Sequence, residues 1–238
     1  MYDTVVLKLL KEDIGDKYDW RSVFNKIDQT SEYKQVEGGS GHINGLRVSV
    51  TEKHVRVTGS LSKYFRGTNL DSLTLSQVEK AIKQLGKELG VPMIEADVER
   101  VDMAENFEMS RPPEFYISKM QSLGECCPNK WKGTTYFPSN GVLLRFYDKS
   151  KEVRKKRKNQ KNTPGAFSTS VEQNLLRYEI CFGKKAIRRM FGHQLKAKDL
   201  YDKDIFWRLV SEWLYSYDEI GIISDKLFDV SFEQIKTL

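Results

Sequence analysis

Three cysteines, three histidines and no long apolar run exclude several kinds of chemistry at the outset. Cys126, Cys127 and Cys181 are odd in number, two are adjacent, and none has the spacing of a zinc site, so they read as reduced, non-catalytic thiols. His42, His54 and His193 are scattered, with no His-x-x-x-His and no His-hydrophobe-His pair. A histidine metal site or a Ser-His arrangement therefore has little support. No stretch approaches the roughly 20 apolar residues of a membrane span. The N-terminal MYDTVVLKLLKED lacks the basic flank and the small-residue cleavage site of a signal peptide. These absences lead us to expect a cytoplasmic protein that does not enter a membrane.

What is present is a globular composition, 39% hydrophobic and 30% charged over 238 residues, with enough apolar material for a core. The net charge of +6 is unevenly distributed. Residues 149 to 161 hold Lys149, Lys151, Arg154, Lys155, Lys156, Arg157, Lys158 and Lys161 against Glu152 alone, so this run exceeds the positive charge of the whole chain. A single basic run on a near-neutral chain fits a localised polyanion contact, for which nucleic acid is the commonest partner. It equally fits a solvated charged loop, and composition does not decide between them.

Taken in order, Thr4 to Leu10 reads as a buried strand, Asp19 to Ile27 as a helix with Asp19 as N-cap, and Gly38 to Gly41 as a flexible turn. Leu46 to Val50 and the alternating Val55 and Val57 form a hairpin. Gly59 to Leu70 reads as a polar loop that offers Lys63, Arg66 and Asn69 to a DNA backbone, or merely caps the sheet. Leu75 to Leu89 is an amphipathic helix with a capping box at Ser76 and Glu79, stopped by Gly90 and Pro92. Glu114 to Leu123 is expected as a short helix, and Lys184 to Tyr217 as helical. A helix is expected to begin after Lys149, with a loop from Asn159 to Thr169.

Three strands repeat one design, an apolar face opposite a face with an ionisable group. In Ala96 to Phe107 the group is Asp102; in the second of two β-like segments that flank the Pro-Ser-Asn-Gly turn within Thr134 to Glu152 it is Tyr147, between Arg145 and Lys149 on the same face; and in Leu175 to Phe182 it is Glu179. Asp102 in mid-strand has two readings, an ion pair with Arg100, or a metal ligand or general base. Tyr147 is either an ordinary strand tyrosine or a nucleophile. If the three strands are neighbours, two carboxylates could hold Mg²⁺ or Mn²⁺ beside a phenol that attacks phosphorus.

Four blocks in order, GSLSKYFRGTNL (59–70), ERVDMAENF (99–107), LLRFYDKSKE (143–152) and NLLRYEICF with the following KKAIRRMFG (174–192), resemble phage and plasmid replication initiators of the filamentous-phage gene II/gene X type. The resemblance implies an α+β fold, a central mainly antiparallel sheet with flanking helices related to the HUH nucleases of rolling-circle replication. It implies a catalytic nicking domain over 1–183 and a helical C-terminal extension over 184–238. The implied activity is a nick in one strand at an origin, with a 5′-phosphotyrosyl intermediate, a 3′-hydroxyl primer and later rejoining.

On this resemblance Tyr147 is the nucleophile, with Tyr136 ranked second, and Lys149 assists it. Asp102 and Glu179 are metal ligands for Mg²⁺ or Mn²⁺, with water, Glu105 or Asn106 as a third. Lys63, Arg66, Asn69, Arg145, Lys151, Arg154, Lys155, Lys156, Arg157 and Lys158 bind DNA. Origin DNA, single-stranded or melted, is the expected partner, with host helicase and polymerase, in a bacterial cytoplasm. The competing reading is a non-catalytic DNA-binding replication regulator, and a third is a structural partner of a replisome.

Overall fold

The structure is a computed structural model that describes residues 1–15, 18–29, 38–159 and 174–222, without the side chains of 156–159. The first strands are β1 (Tyr2–Leu10), β2 (Asp28–Gln29), β3 (Gly38–Ile43), β4 (Leu46–Thr51), β5 (His54–Ser60) and β6 (Asp97–Met109). They are followed by β7 (Met120–Leu123), β8 (Asn129–Trp131), β9 (Thr134–Ser139), β10 (Val142–Asp148), β11 (Asn174–Gly183) and β12 (Ile220–Ile222). The helices are α1 (Lys11–Ile14), α2 (Trp20–Phe24), α3 (Leu61–Arg66), α4 (Leu75–Leu89), α5 (Pro113–Ile117), α6 (Lys149–Asn159), α7 (Lys184–Phe191) and α8 (Lys203–Asp218).

Ten strands hydrogen-bond in the order β2-β3-β4-β5-β1-β6-β11-β10-β9-β8, and β12 pairs with β7 in a second, small sheet. The fold is therefore α+β with a large, mainly antiparallel sheet and flanking helices. No helix among the described residues is long and apolar enough to cross a membrane.

The chain divides into two compact units. The first is built from Met1–Met103, Asn140–Val142 and Cys181–Trp213. Its core is the expected β1, with Val5, Leu7 and Leu9 fully buried, paired antiparallel with β5 and β6. Helix α4 buries Val78, Ala81, Ile82, Leu85 and Leu89 along one stripe. Its capping box uses Thr74 and Gln77 rather than Ser76 and Glu79, because Ser76 already lies inside the helix; Glu79 pairs with Lys83 at 2.6 Å instead.

Two segments expected as connections carry regular structure. The glycine-rich stretch is strand β3, with Gly39 opposite Val50 and Gly41 opposite Val48. A Cβ on Gly39 would lie 2.3 Å from the Phe24 ring, and one on Gly41 2.3 Å from the Asp28 carbonyl oxygen. These glycines let neighbouring elements close onto the strand. Within the expected polar loop, Ser60 caps α3 by accepting from the Lys63 amide, Leu61 and Tyr64 are buried, and Gly67 ends the helix at φ +76°. Between Lys184 and Tyr217 the structure is helical with a break after Gly192, φ +75°, before a short 3-10 turn at Ala197–Tyr201.

The described residues of the second unit lie within Ala104–Ser139, Leu143–Ile180 and 214–222. Its aromatic centre stacks Phe146 on Tyr178, ring centroids 4.6 Å apart and planes within 1°, with Phe137 edge-on to Phe146 at 6.3 Å. The expected helix over Glu114 to Leu123 is cut short at Ile117. Met120–Leu123 is taken up as β7 by pairing with β12, a partner about a hundred residues away in sequence that local pattern cannot announce.

Candidate active site

Alternation along β10 turns Leu144 and Phe146 into the core of the second unit and leaves Arg145 and Tyr147 on the opposite face. Strand β11 behaves likewise, with Leu176, Tyr178 and Ile180 apolar and buried, and Arg177 and Glu179 alternating with them. The polar side chains form a continuous chain. Arg145 donates from Nη2 to Glu179 Oε1, Arg177 Nε lies 3.7 Å from Glu179 Oε2, and Arg177 Nη1 donates to Asn106 Oδ1 at 3.1 Å. Glu179 is thus a buried carboxylate between two guanidinium groups.

At the end of β10, Asp148 accepts from the Lys151 amide at 2.9 Å and so caps α6, the helix that carries the basic run. The Lys149 side chain turns inward, 1% exposed, and donates to Glu152 at 2.8 Å. Ser150, also buried, accepts from the Leu175 amide at 2.8 Å and ties the helix to β11. Lys151 and Arg154 remain at the surface, Lys151 bonded to Glu114 and Arg154 3.7 Å from Asp148.

These elements enclose a cleft of about 620 Å³ within the second unit. Tyr147, Tyr136, Arg145, Lys151, Lys155 and Glu179 line it, together with Asp148, Glu152 and the turn Lys132–Gly133–Thr134. Two tyrosines, several cations and a buried carboxylate are therefore brought together. Lys149 is not on the lining and is joined to it through its bond to Glu152. Lys132, Asp148 and Arg177 add to the residues that the sequence points to. Arg177 is signalled by the strand face it shares with Glu179; Lys132 sits on the short edge hairpin β8–β9, which carries no periodic signal.

Other predicted residues lie elsewhere. Asp102 is in the first unit, completely buried, and receives both Nε and Nη2 of Arg100, at 2.6 and 2.5 Å. In the same unit Asn69 donates to Asp3 at 3.2 Å, Arg66 donates to Gln77 at 2.5 Å, and Lys63 gives its amide to the α3 cap. The side chains of Lys156, Arg157 and Lys158 lie outside the described residues.

Magnesium and manganese need oxygen ligands that are not committed to other cations. Both Asp102 oxygens are held by Arg100, and both Glu179 oxygens face guanidinium groups. Among the described residues no group of three or more His, Cys, Asp or Glu side chains is placed to hold a metal ion. The two carboxylates as arranged do not fit a metal site.

Several other tyrosines are poor candidates for nucleophile. Burial, followed by Asp202, pushes the Tyr2 phenol far up; burial and Glu88 do the same to Tyr64, and burial and Asp218 to Tyr217. Tyr18 is pushed up to about 12, chiefly by burial. Each is held as the neutral phenol, the weaker nucleophile.

The family model for the N-terminal region of the phage replication-associated protein, the gene II product, matches residues 1–213. No curated protein matches the chain.

Proposed function

The chain belongs to this phage replication-associated protein family, a family of replication initiators, and on that premise we propose that it nicks one strand of origin DNA with Tyr147 as nucleophile. The observation that carries the reading is the lining of the second-unit cleft, where Tyr147 on β10 shares one concave space with Arg145, Lys151 and Lys155. These cations attract the phosphodiester to the phenol.

In the proposed step the scissile phosphate enters the cleft, and Tyr147 Oη bonds to phosphorus in line with the departing 3′ oxygen. The phenolic proton is lost to solvent, the P–O3′ bond breaks, and the 3′ oxygen takes up a proton to become the primer hydroxyl. Arg145, Lys151 and Lys155 balance the charge that builds on the non-bridging oxygens. Glu179, set between Arg145 and Arg177, fixes the Arg145 guanidinium, and Lys149 fixes Glu152. Both are positioning residues. The phosphotyrosyl bond retains the energy needed to rejoin the strand later. The new 3′-hydroxyl is a substrate for a host polymerase, and a host helicase would expose the single strand. Any divalent-cation requirement is to be looked for with DNA bound, since neither expected carboxylate offers an oxygen in the chain as it stands.

The test is the covalent adduct. Incubation with single-stranded oligonucleotides from its own replicon, with Mg²⁺, Mn²⁺ or EDTA, is expected to give a protein–DNA species that survives denaturation. Tyr147→Phe should abolish it and Tyr136→Phe should not. An adduct persisting in Tyr147→Phe overturns the assignment, and binding without any adduct favours a non-catalytic replication regulator.

A further inference from the structure

The edge hairpin β8–β9 bears on the proposed cleft in a way that its short strands conceal. Its register sets Asn129 opposite Tyr136, Lys130 opposite Thr135 and Trp131 opposite Thr134. Residues directly opposite in an antiparallel pair project from the same face, and faces alternate along each strand. Asn129, Trp131, Thr134 and Tyr136 therefore share one face, while Thr135 and Phe137 on the other are buried in the core. Thr134 and Tyr136 both line the cleft, so Trp131 continues that same surface outward to the sheet edge.

Trp131 is 63% exposed, the most exposed large hydrophobic side chain among the described residues. The Lys132 ammonium lies 4.3 Å from the centre of its ring, and Lys132 itself lines the cleft. A two-residue turn with both residues at positive φ, Lys132 at +49° and Gly133 at +78°, holds this arrangement at the rim. An exposed indole with an ammonium over one face, leaving the other for a base, at the mouth of a cleft lined by arginine and lysine, matches the parts that bind single-stranded nucleic acid, an aromatic surface for a base and positive charge for the backbone.

Resting on the reading of the cleft as a DNA-phosphate site, we infer that Trp131 is a stacking platform for an unpaired nucleobase next to the scissile phosphate, with Lys132 contacting the adjoining backbone. A base in duplex DNA is already stacked on its neighbours and cannot lie on the indole. The platform therefore selects single-stranded or melted DNA over duplex.

Affinity can be measured by fluorescence anisotropy with a dye-labelled single-stranded oligonucleotide and an abasic strand of equal length and charge. Trp131→Ala is expected to weaken binding of the base-containing strand by about 5- to 150-fold. It should leave the abasic strand and the salt dependence unchanged, because no charge is removed. Trp131→Phe, which keeps a π face, should retain most of the affinity; Trp131→Leu, which keeps only apolar bulk, should behave like alanine. Equal binding by wild type and Trp131→Ala overturns the inference. So does an equal loss on the abasic strand, or a Trp131→Leu protein that binds like wild type. The measurement needs no cleavage, so a missing covalent adduct would sink the nicking mechanism and leave the stacking result standing.

Discussion

Arg100 and Asp102, two residues apart on β6, are joined by two hydrogen bonds of 2.6 and 2.5 Å, with the carboxylate sealed from solvent and the guanidinium about one third exposed. The pair is asymmetric, and this sets the order of two mutational costs. Arg100→Ala withdraws both bonds from a buried charge, whereas Asp102→Ala releases a guanidinium that can reach water. Arg100→Ala should cost about 3–5 kcal/mol and Asp102→Ala about 1–3 kcal/mol in urea unfolding. With its oxygens on Arg100, Asp102 should also give no rise in Tm of the DNA-free protein with millimolar Mg²⁺ or Mn²⁺. A rise that disappears in Asp102→Asn would restore it as a ligand.

Glu179 tests the same principle where both partners are shielded. Glu179→Gln keeps the shape but leaves Arg177, itself buried, facing a neutral amide. A loss of about 2–4 kcal/mol is expected. Because Arg177→Gln removes the charge that Glu179 neutralises, the double variant should be more stable than the sum of the single losses predicts, by about 1–3 kcal/mol. Strict additivity in the cycle would show that the two do not interact.

Lys151 and Lys155 line the cleft, and if DNA phosphate enters it as proposed, their contribution should be readable in salt. For single-stranded DNA each phosphate contact removed lowers the slope of log K against log salt by about 0.7. Lys151→Gln and Lys155→Gln are each expected to show about that change, and an Arg145→Gln protein likewise. A slope that stays at the wild-type value in all three would take DNA out of the cleft.

Much of this arrangement is legible in the sequence because it is local. Alternation in LLRFYD puts Arg145 and Tyr147 together opposite Leu144 and Phe146, and the i, i+2 spacing of Arg100 and Asp102 already offers the ion pair that the structure contains. What cannot be read is which strands meet. Glu179 lies between Arg145 and Arg177 only because residues 34 positions apart come together, and Lys132 enters the cleft only because a three-residue edge strand folds back on β9. The segment expected as a polar loop is helix α3 and its flank, because Ser60 caps it; Arg66 stays exposed at its end while donating to Gln77, and Asn69 donates to Asp3.

His54 gives a pH dependence of known sign. Burial first, then Lys8, hold its imidazole below the ordinary 6.5; Glu99 pulls it upward and Arg56 adds a lesser downward push. A depressed pKa in the folded state means the unfolded chain takes up a proton first. The contribution to stability is then complete above about pH 6.5 and is lost as pH falls through the lower folded value. Urea unfolding at pH 7.5 and pH 5 should show wild type losing more stability than His54→Gln across that interval. An equal loss in the two proteins would contradict the shift.

The β3 glycines differ in what they face, and the difference predicts which substitution the fold tolerates. A methyl on Gly39 meets the Phe24 ring, a side chain on a five-residue helix that can tilt away. A methyl on Gly41 meets the Asp28 carbonyl oxygen, backbone that is itself paired with β3 through His42 and Gly41. Relief at Gly39 needs a rotamer change, and relief at Gly41 needs β2 to leave the sheet. Overpacking costs about 1–3 kcal/mol, and Gly39→Ala should fall at the low end with Gly41→Ala at or above the high end. Hydrogen exchange separates the two: Gly41→Ala should lose protection at the Asp28–Gln29 amides, and Gly39→Ala should keep it. If both variants keep it, the glycines serve flexibility rather than close approach.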